Sequence, residues 1–180
     1  MKKTYDIKLE LLSAMHINGG VSVDSKRLVV KLDGRSYVPA TLLKGIIRAN
    51  FDMLVKTYSP QNTGISDRLF GSEGYNRSHV ILDNLMSEKE VPFESRSGIA
   101  INRYSRKVVD KALVFSEVTS AHDTDGNPSS FCGEMTVYYT DETKDYEKYL
   151  LNAVEMISCI GSGKSRGMGF AEVTINEKTC

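Results

Sequence analysis

The sequence of 180 residues has few cysteines: Cys132, Cys159 and Cys180 are odd in number, far apart and without paired spacing. That excludes a disulfide framework and gives no zinc-ligand pattern. No stretch approaches the roughly 20 apolar residues that a membrane helix needs. The opening "MKKTYDIKLELL" also lacks the apolar run of a signal peptide, so a cytoplasmic protein without a membrane partner is expected. There is no internal repeat and no low-complexity tract. Net charge is missing too: 23 Lys and Arg balance 23 Asp and Glu, which excludes a chain whose whole surface coats nucleic acid.

What is present suits one domain over residues 1–180, with 41% hydrophobic residues to build a core. The charge is segregated. Residues 1–50 hold nine basic residues, among them Lys26, Arg27, Lys44 and Arg48, against four acidic ones. Residues 96–111 hold Arg96, Arg103, Arg106, Lys107 and Lys111 against Asp110 alone. Acid gathers in "SEKEVPFE" (87–94) and "DETKDYE" (141–147). This pattern fits one surface turned to a polyanion and another turned to solvent or a partner.

Periodicity gives the elements. "YDIKLELLS" alternates Tyr5, Ile7, Leu9 and Leu11 with polar residues, as a half-buried strand does. "RLVVKLDGRSYVP" (27–39) predicts a hairpin turning at Asp33-Gly34. "TLLKGIIRANFDMLVK" (41–56) predicts a helix with Thr41 as N-cap and a buried face of Leu42, Leu43, Ile46, Ile47, Met53 and Leu54, leaving Lys44 and Arg48 exposed. Strands are expected at 78–85, 111–120, 133–140 and 170–175, a second helix at 145–160, and surface loops at 59–78 and 121–130. The order strand, helix, strand, strand, helix, strand predicts an α+β ferredoxin-like or RNA-recognition-motif-like sandwich, two helices on an antiparallel sheet, with inserted hairpins. A polar and basic excursion spans 86–110.

The segment "CIGSGKSRGMGF" (159–170) contains "GSGKS", which suggests a nucleotide-binding loop. Such a loop needs a glycine where Ser158 stands, a strand before it and a helix after it. Here a helix precedes and a strand follows, so a nucleotide hydrolase using 161–165 is kept only as an alternative. Gly161, Gly163, Gly167 and Gly169 surround Lys164, Ser165 and Arg166 in a helix-to-strand loop. Glycines permit close backbone approach, successive N–H groups form an anion nest, and arginine grips phosphate with two N–H groups.

With its position between helix and last strand, "GSGKSRGMGFAEV" resembles the glycine-rich loop of the repeat-associated mysterious proteins (RAMPs) of CRISPR systems. "RSYVPATLLKGIIRANF" resembles that superfamily's N-terminal signature. "RLFGSEG" (68–74), "HVILDNL" (79–85) and "RSGIAINRYSRKVVDKALVFSEVTSA" (96–121) are similar to blocks of the subunit that forms the backbone filament of type III (Csm and Cmr) effector complexes. The resemblance implies a modified RNA-recognition fold with a projecting thumb at 86–110. Copies of the chain would stack with other effector subunits along a CRISPR guide RNA, and base pairing with target RNA would supply specificity.

The resemblance also implies roles. Lys44, Arg48, Lys164 and Arg166 are the first candidates for guide-backbone contacts, joined by Ser165, Gly161, Gly163 and Gly167 of the loop and by Arg103 and Arg106 of the thumb. Asp24 occupies the place of the target-cleaving aspartate. A carboxylate there would deprotonate a 2′-hydroxyl or hold a divalent metal, with magnesium the expected ion and no organic cofactor. Asp33 is the rival acid, although its dipeptide already serves a turn, and Asp24 beside Ser25 also fits an ordinary loop residue bonded to its own backbone. His16, in "HINGG", matches a family histidine near the RNA channel and is expected to position RNA or to make a structural hydrogen bond. The alternative to a target-cleaving backbone subunit is a non-catalytic RNA-binding or capping subunit.

Overall fold

The computed structural model describes residues 1–62, 64–74 and 76–178; Cys180 lies outside them. In chain order they form strands β1 (Lys2–Leu11), β2 (Asn18–Val21), β3 (Arg27–Val29), β4 (Lys31–Leu32) and β5 (Arg35–Val38), then helices α1 (Ala40–Tyr58) and α2 (Ile65–Phe70). Strands β6 (Val80–Leu82), β7 (Leu85–Ser87), β8 (Phe93–Gly98), β9 (Val114–Thr119) and β10 (Ser130–Tyr138) follow, then helix α3 (Glu147–Glu155) and strand β11 (Ala171–Glu177). Cys132 and Cys159 are free thiols. No described helix is long and apolar enough to cross a membrane.

The alternation in β1 does what period two requires. Tyr5, Ile7, Leu9 and Leu11 are buried while Lys2, Asp6 and Lys8 face out. β1 lies antiparallel between β10, from Lys2↔Tyr138 to Glu10↔Ser130, and β11, from Tyr5↔Glu177 to Leu11↔Ala171. Beyond β10 come β6 and β7, then β5 and β4, in a seven-stranded mixed-length sheet. α1 and α3 cover its apolar face, joining Leu43, Ile47, Phe51 and Val55 to Leu150, Ala153 and Val154 in one core. Each of these side chains larger than alanine contributes about 1.5–3 kcal/mol by leaving water.

The buried stripe of α1 differs from the predicted one. Met53 is half exposed and Phe51 is fully buried, because two residues of helix turn a side chain to the opposite side of the cylinder. The helix also starts at Ala40 with Pro39 before it, and no side-chain cap comes from Thr41. Its first amide donates instead to Asn84 Oδ1 at 2.9 Å, so a residue from the β6–β7 turn satisfies an N–H that the local sequence leaves open. α3 is shorter than the period suggests: beyond Glu155, Ile157 and Ile160 remain buried. There Ile160 N donates to Gly169 O at 2.7 Å and Ala171 N to Ser158 O at 3.0 Å, so pairing with the start of β11 replaces helix.

A second sheet, in the order β2-β3-β9-β8, stands beside the first. The run "RLVVKL" divides between the two at Val30. β3 pairs with β2 and, in parallel, with β9, whereas β4 makes the expected hairpin with β5, its Asp33 and Gly34 both at positive φ. The basic excursion begins later than predicted. Met86 and Ser87 belong to β7 and pair with Cys132 and Phe131 of β10. The projecting part is the β8–β9 hairpin, paired from Phe93↔Thr119 to Gly98↔Val114 and extended by a turn closed at Ile101↔Val108. α2 lies inside the predicted loop 59–78; with six residues it is too short to show a period.

Gly169 tests the pairing that ends α3. A Cβ there would sit 1.9 Å from Ile160 O, at a φ of +75°. Gly169→Ala is expected to lower the unfolding free energy by at least about 2 kcal/mol. Gly167→Ala, with the same φ and open space around it, should cost about 1 kcal/mol. Urea denaturation of both variants measures the difference.

Candidate nucleic-acid interface

Register brings the first two groups of the site together. Ser116, in the middle of β9, is paired with Arg27 of β3 on one side and Arg96 of β8 on the other. Residues paired across strands project from the same face, and strands lie about 4.8 Å apart, so the two arginines leave the sheet about 10 Å from each other. Arg166 joins them from the glycine-rich loop. With Val114 and Met168 they line a groove of about 380 Å³, and no carboxylate lines it. Among the described residues none of the three arginines has an ion-pair partner. Three unneutralised guanidinium groups over a partly apolar floor give the groove a positive charge that would suit a polyanion.

The loop follows α3 and precedes β11. Its centre is a short 3₁₀ turn, Lys164–Arg166, flanked by Gly163 at φ 79° and Gly167 at φ 75°. Arg166 N donates to Gly163 O at 2.8 Å, and the side chains of Lys164, Ser165 and Arg166 are exposed. At its base Gly161 lies against residue 16: a Cβ there would sit 2.5 Å from His16 O. His16 itself is 4% exposed. Its Nδ1 is 2.7 Å from Glu117 O, and since a carbonyl only accepts, Nδ1 carries the hydrogen. The imidazole is therefore buried and does not line the groove.

Asp24 stands in the turn between β2 and β3, exposed. Ser22 N donates to Lys26 O at 2.8 Å and Ser25 N to Ser22 O at 2.9 Å, while Ser25 takes a φ of 60°. The turn is thus closed by its neighbours, and Asp24 makes no hydrogen bond or ion pair among the described residues. No group of three or more His, Cys, Asp or Glu among those residues is arranged to hold a metal ion. A single carboxylate at a hairpin tip does not make a resident site for a divalent ion.

Two predicted positions need correction. The helix period leaves Lys44 and Arg48 on a solvent face; Lys44 is instead partly buried, and Arg48, its side chain 38% exposed, is bonded to groups of the chain itself. Lys44 Nζ donates to Ser78 Oγ at 2.5 Å and Val80 O at 3.0 Å, tying α1 to β6. Burial and the neighbouring Arg48 charge hold its ammonium below the usual lysine pKa. Arg48 donates to Gly71 O at 3.0 Å and pairs with Asp67 at 2.5 Å, which fixes the end of α2. Arg103 and Arg106 are exposed at the outer turn of the β8–β9 hairpin, where Asn102 Oδ1 accepts the amides of Tyr104 and Ser105 at 2.9 and 3.0 Å. They lie beyond the three-arginine groove.

Of the residues that line the groove only Arg166 was predicted; Arg27 and Arg96 are the charged ones that the sequence does not assign. Both arginines stood in its basic clusters, yet only strand register shows that they share Ser116. A larger cleft, about 550 Å³, is lined by Asp67, Arg68, Arg77, His79 and Glu142. Its charges offset one another, with Arg68 paired to Glu142 and Asp67 to Arg48, so it lacks the electrostatic drive of the arginine groove.

Comparisons with known proteins agree with this architecture. The family described as the RAMP superfamily matches residues 8–172. No curated protein sequence matches. Among solved structures, a chain of the type III-B Cmr-beta bound to cognate target RNA, determined by cryo-electron microscopy, aligns with a TM-score of 0.71. The alignment covers 97% of each chain at 10% identity, a likeness of fold.

The reassigned cations give a direct comparison. Lys44→Met is expected to lower stability by about 1 kcal/mol in urea denaturation while leaving retention on a heparin column little changed. Arg166→Ala should do the reverse, eluting at lower salt with the same unfolding midpoint.

Proposed function

Because the chain belongs to the RAMP superfamily, we propose that it is an RNA-binding backbone subunit of a type III-like CRISPR interference complex. The observation that carries the reading is the convergence of Arg27, Arg96 and Arg166 on one groove without a carboxylate. A phosphodiester chain supplies the missing negative charge, and each guanidinium can meet two phosphate oxygens. Lys164, Ser165 and the loop backbone extend the contact. The strand order β11-β1-β10-β6, with α1 and α3 on one face, supports a ferredoxin-like core.

The exposed β8–β9 hairpin, with Arg103 and Arg106 at its outer turn, is the proposed thumb, laid across guide RNA and paired target RNA. The structural relative comes from a Cmr assembly bound to cognate target RNA. In keeping with that, further copies of this chain and other effector subunits are the proposed partners.

Asp24 is the proposed cleaving group. Its carboxylate would accept the proton of a target 2′-hydroxyl, whose oxygen then attacks the adjacent phosphorus. The P–O5′ bond breaks, O5′ takes a proton from water, and the products carry a 2′,3′-cyclic phosphate and a 5′-hydroxyl. The exposure of Asp24 and its lack of a base or metal-binding partner among the described residues favour a second reading, a non-catalytic RNA-binding or capping subunit.

Three measurements decide among these readings. A discrete small RNA with repeat-derived ends should co-purify with the chain; its absence argues against the guide-binding role. Replacing Arg27, Arg96 or Arg166 by alanine should each reduce the slope of log affinity against log salt by about 0.7, as loss of one phosphate contact on single-stranded RNA does. In the assembled complex Asp24→Asn should abolish cutting of guide-complementary RNA with guide binding retained, whereas unchanged cutting assigns the chemistry elsewhere.

A further inference from the structure

Residues 14–17 belong to neither sheet, yet their backbone groups are divided among three elements. Ala14 O accepts Gly169 N at 2.9 Å, and His16 O accepts Ser162 N at 2.8 Å and Ser162 Oγ at 3.2 Å. Between them, Met15 exchanges both backbone bonds with Thr119 of β9, at 2.9 and 2.8 Å. Ile17 O accepts Val30 N, just past β3, at 2.9 Å. Even positions hold the glycine-rich loop and position 15 holds β9.

His16 joins both sides. Its carbonyl holds the loop, while its buried side chain crosses to β9 and donates to Glu117 O at 2.7 Å. Glu117 then reaches the next strand, its Oε2 accepting Val29 N at 3.3 Å and its Oε1 pairing with Lys31 at 3.1 Å. Ser116, the centre of the arginine row, is the residue beside Glu117. A continuous line of bonds, Ser162–His16–Glu117–Val29, therefore connects the loop that carries Arg166 to β3, which carries Arg27, by way of β9, whose Ser116 is paired with Arg96.

Resting on the RNA-binding reading above, we propose that His16 is a positioning residue that sets the glycine-rich loop against the arginine row and couples RNA held by the loop to order at the base of the β8–β9 hairpin. It acts through the Nδ1–H bond alone and does not touch RNA. Asparagine places an N–H donor near the position of Nδ1, whereas the longer glutamine side chain carries its donor past Glu117 O and alanine has none.

The test combines amide hydrogen exchange with binding of a polyuridine RNA, on wild type, His16→Asn, His16→Gln and His16→Ala. Without RNA, the amides of Ser162 and of β9 should exchange about tenfold faster in the Ala and Gln variants and near the wild-type rate in the Asn variant. RNA affinity should fall about tenfold in Ala and Gln and recover in Asn, and RNA should slow exchange in β9 only where the donor is kept. If His16→Ala does not fold, the Asn and Gln pair carries the same comparison. Equal exchange in Asn and Gln overturns the proposal, and so does a loss of RNA affinity with unchanged exchange, which would mean direct contact. A wild-type protein that binds no polyuridine removes the RNA reading, while the exchange measured without RNA still decides whether His16 ties the loop to β9.

Discussion

A buried amide or carbonyl left without a partner costs about as much as a lost hydrogen bond, and the four carbonyls of residues 14–17 meet that requirement without belonging to a sheet. These residues leave β1 where the core sheet ends and find their partners in three separate parts of the chain. Gly169 and Ser162 come from beyond α3, Thr119 and Glu117 from β9, and Val30 from the link between β3 and β4. The partners of His16 lie 101 and 146 residues away. The relation of the second sheet to the core, and of the loop to both, follows from this crossing.

The same geometry sorts the cations. A formal charge of zero says little about the surface, because basic residues with similar sequence surroundings end in opposite roles. Lys44 and Arg48 are drawn against carbonyls and Asp67, where they pin α1 to β6 and to the end of α2. Lys31 is held by Glu117 and lies 3.9 Å from the centre of the Phe93 ring. Arg27, Arg96 and Arg166 remain unneutralised around one groove. Placing like charges on one sheet face about 10 Å apart is unfavourable in isolation, and an anion in the groove would reverse the sign of that interaction.

Much of the core was readable because its signal is local. Period two in β1, β10 and β11 and the Asp33-Gly34 turn each report one buried face or one backbone conformation. The glycine-rich loop was equally plain, since four glycines around Lys164 and Arg166 mark freedom of backbone, and all four take positive φ. The splits were hidden: "RLVVKL" looks like one strand but serves two sheets, and "SHVILDNL" becomes β6 and β7 around Asn84, whose side chain caps α1. A sheet boundary inside an apolar run leaves no trace in periodicity.

By itself, then, the sequence determined which residues are apolar on a strand or helix face, where the chain can turn sharply, and which loop concentrates glycine around basic side chains. These are properties of a few neighbouring side chains and their backbone preferences. Only the tertiary structure decided that Arg27 and Arg96 flank Ser116, that Lys44 and Arg48 tie α1 to β6 and α2, and that His16 is a buried link. The reason is register. Which residue of one strand meets which of another is set by pairing over long separations, and hydrogen bonds of that kind depend on every element between them being in place.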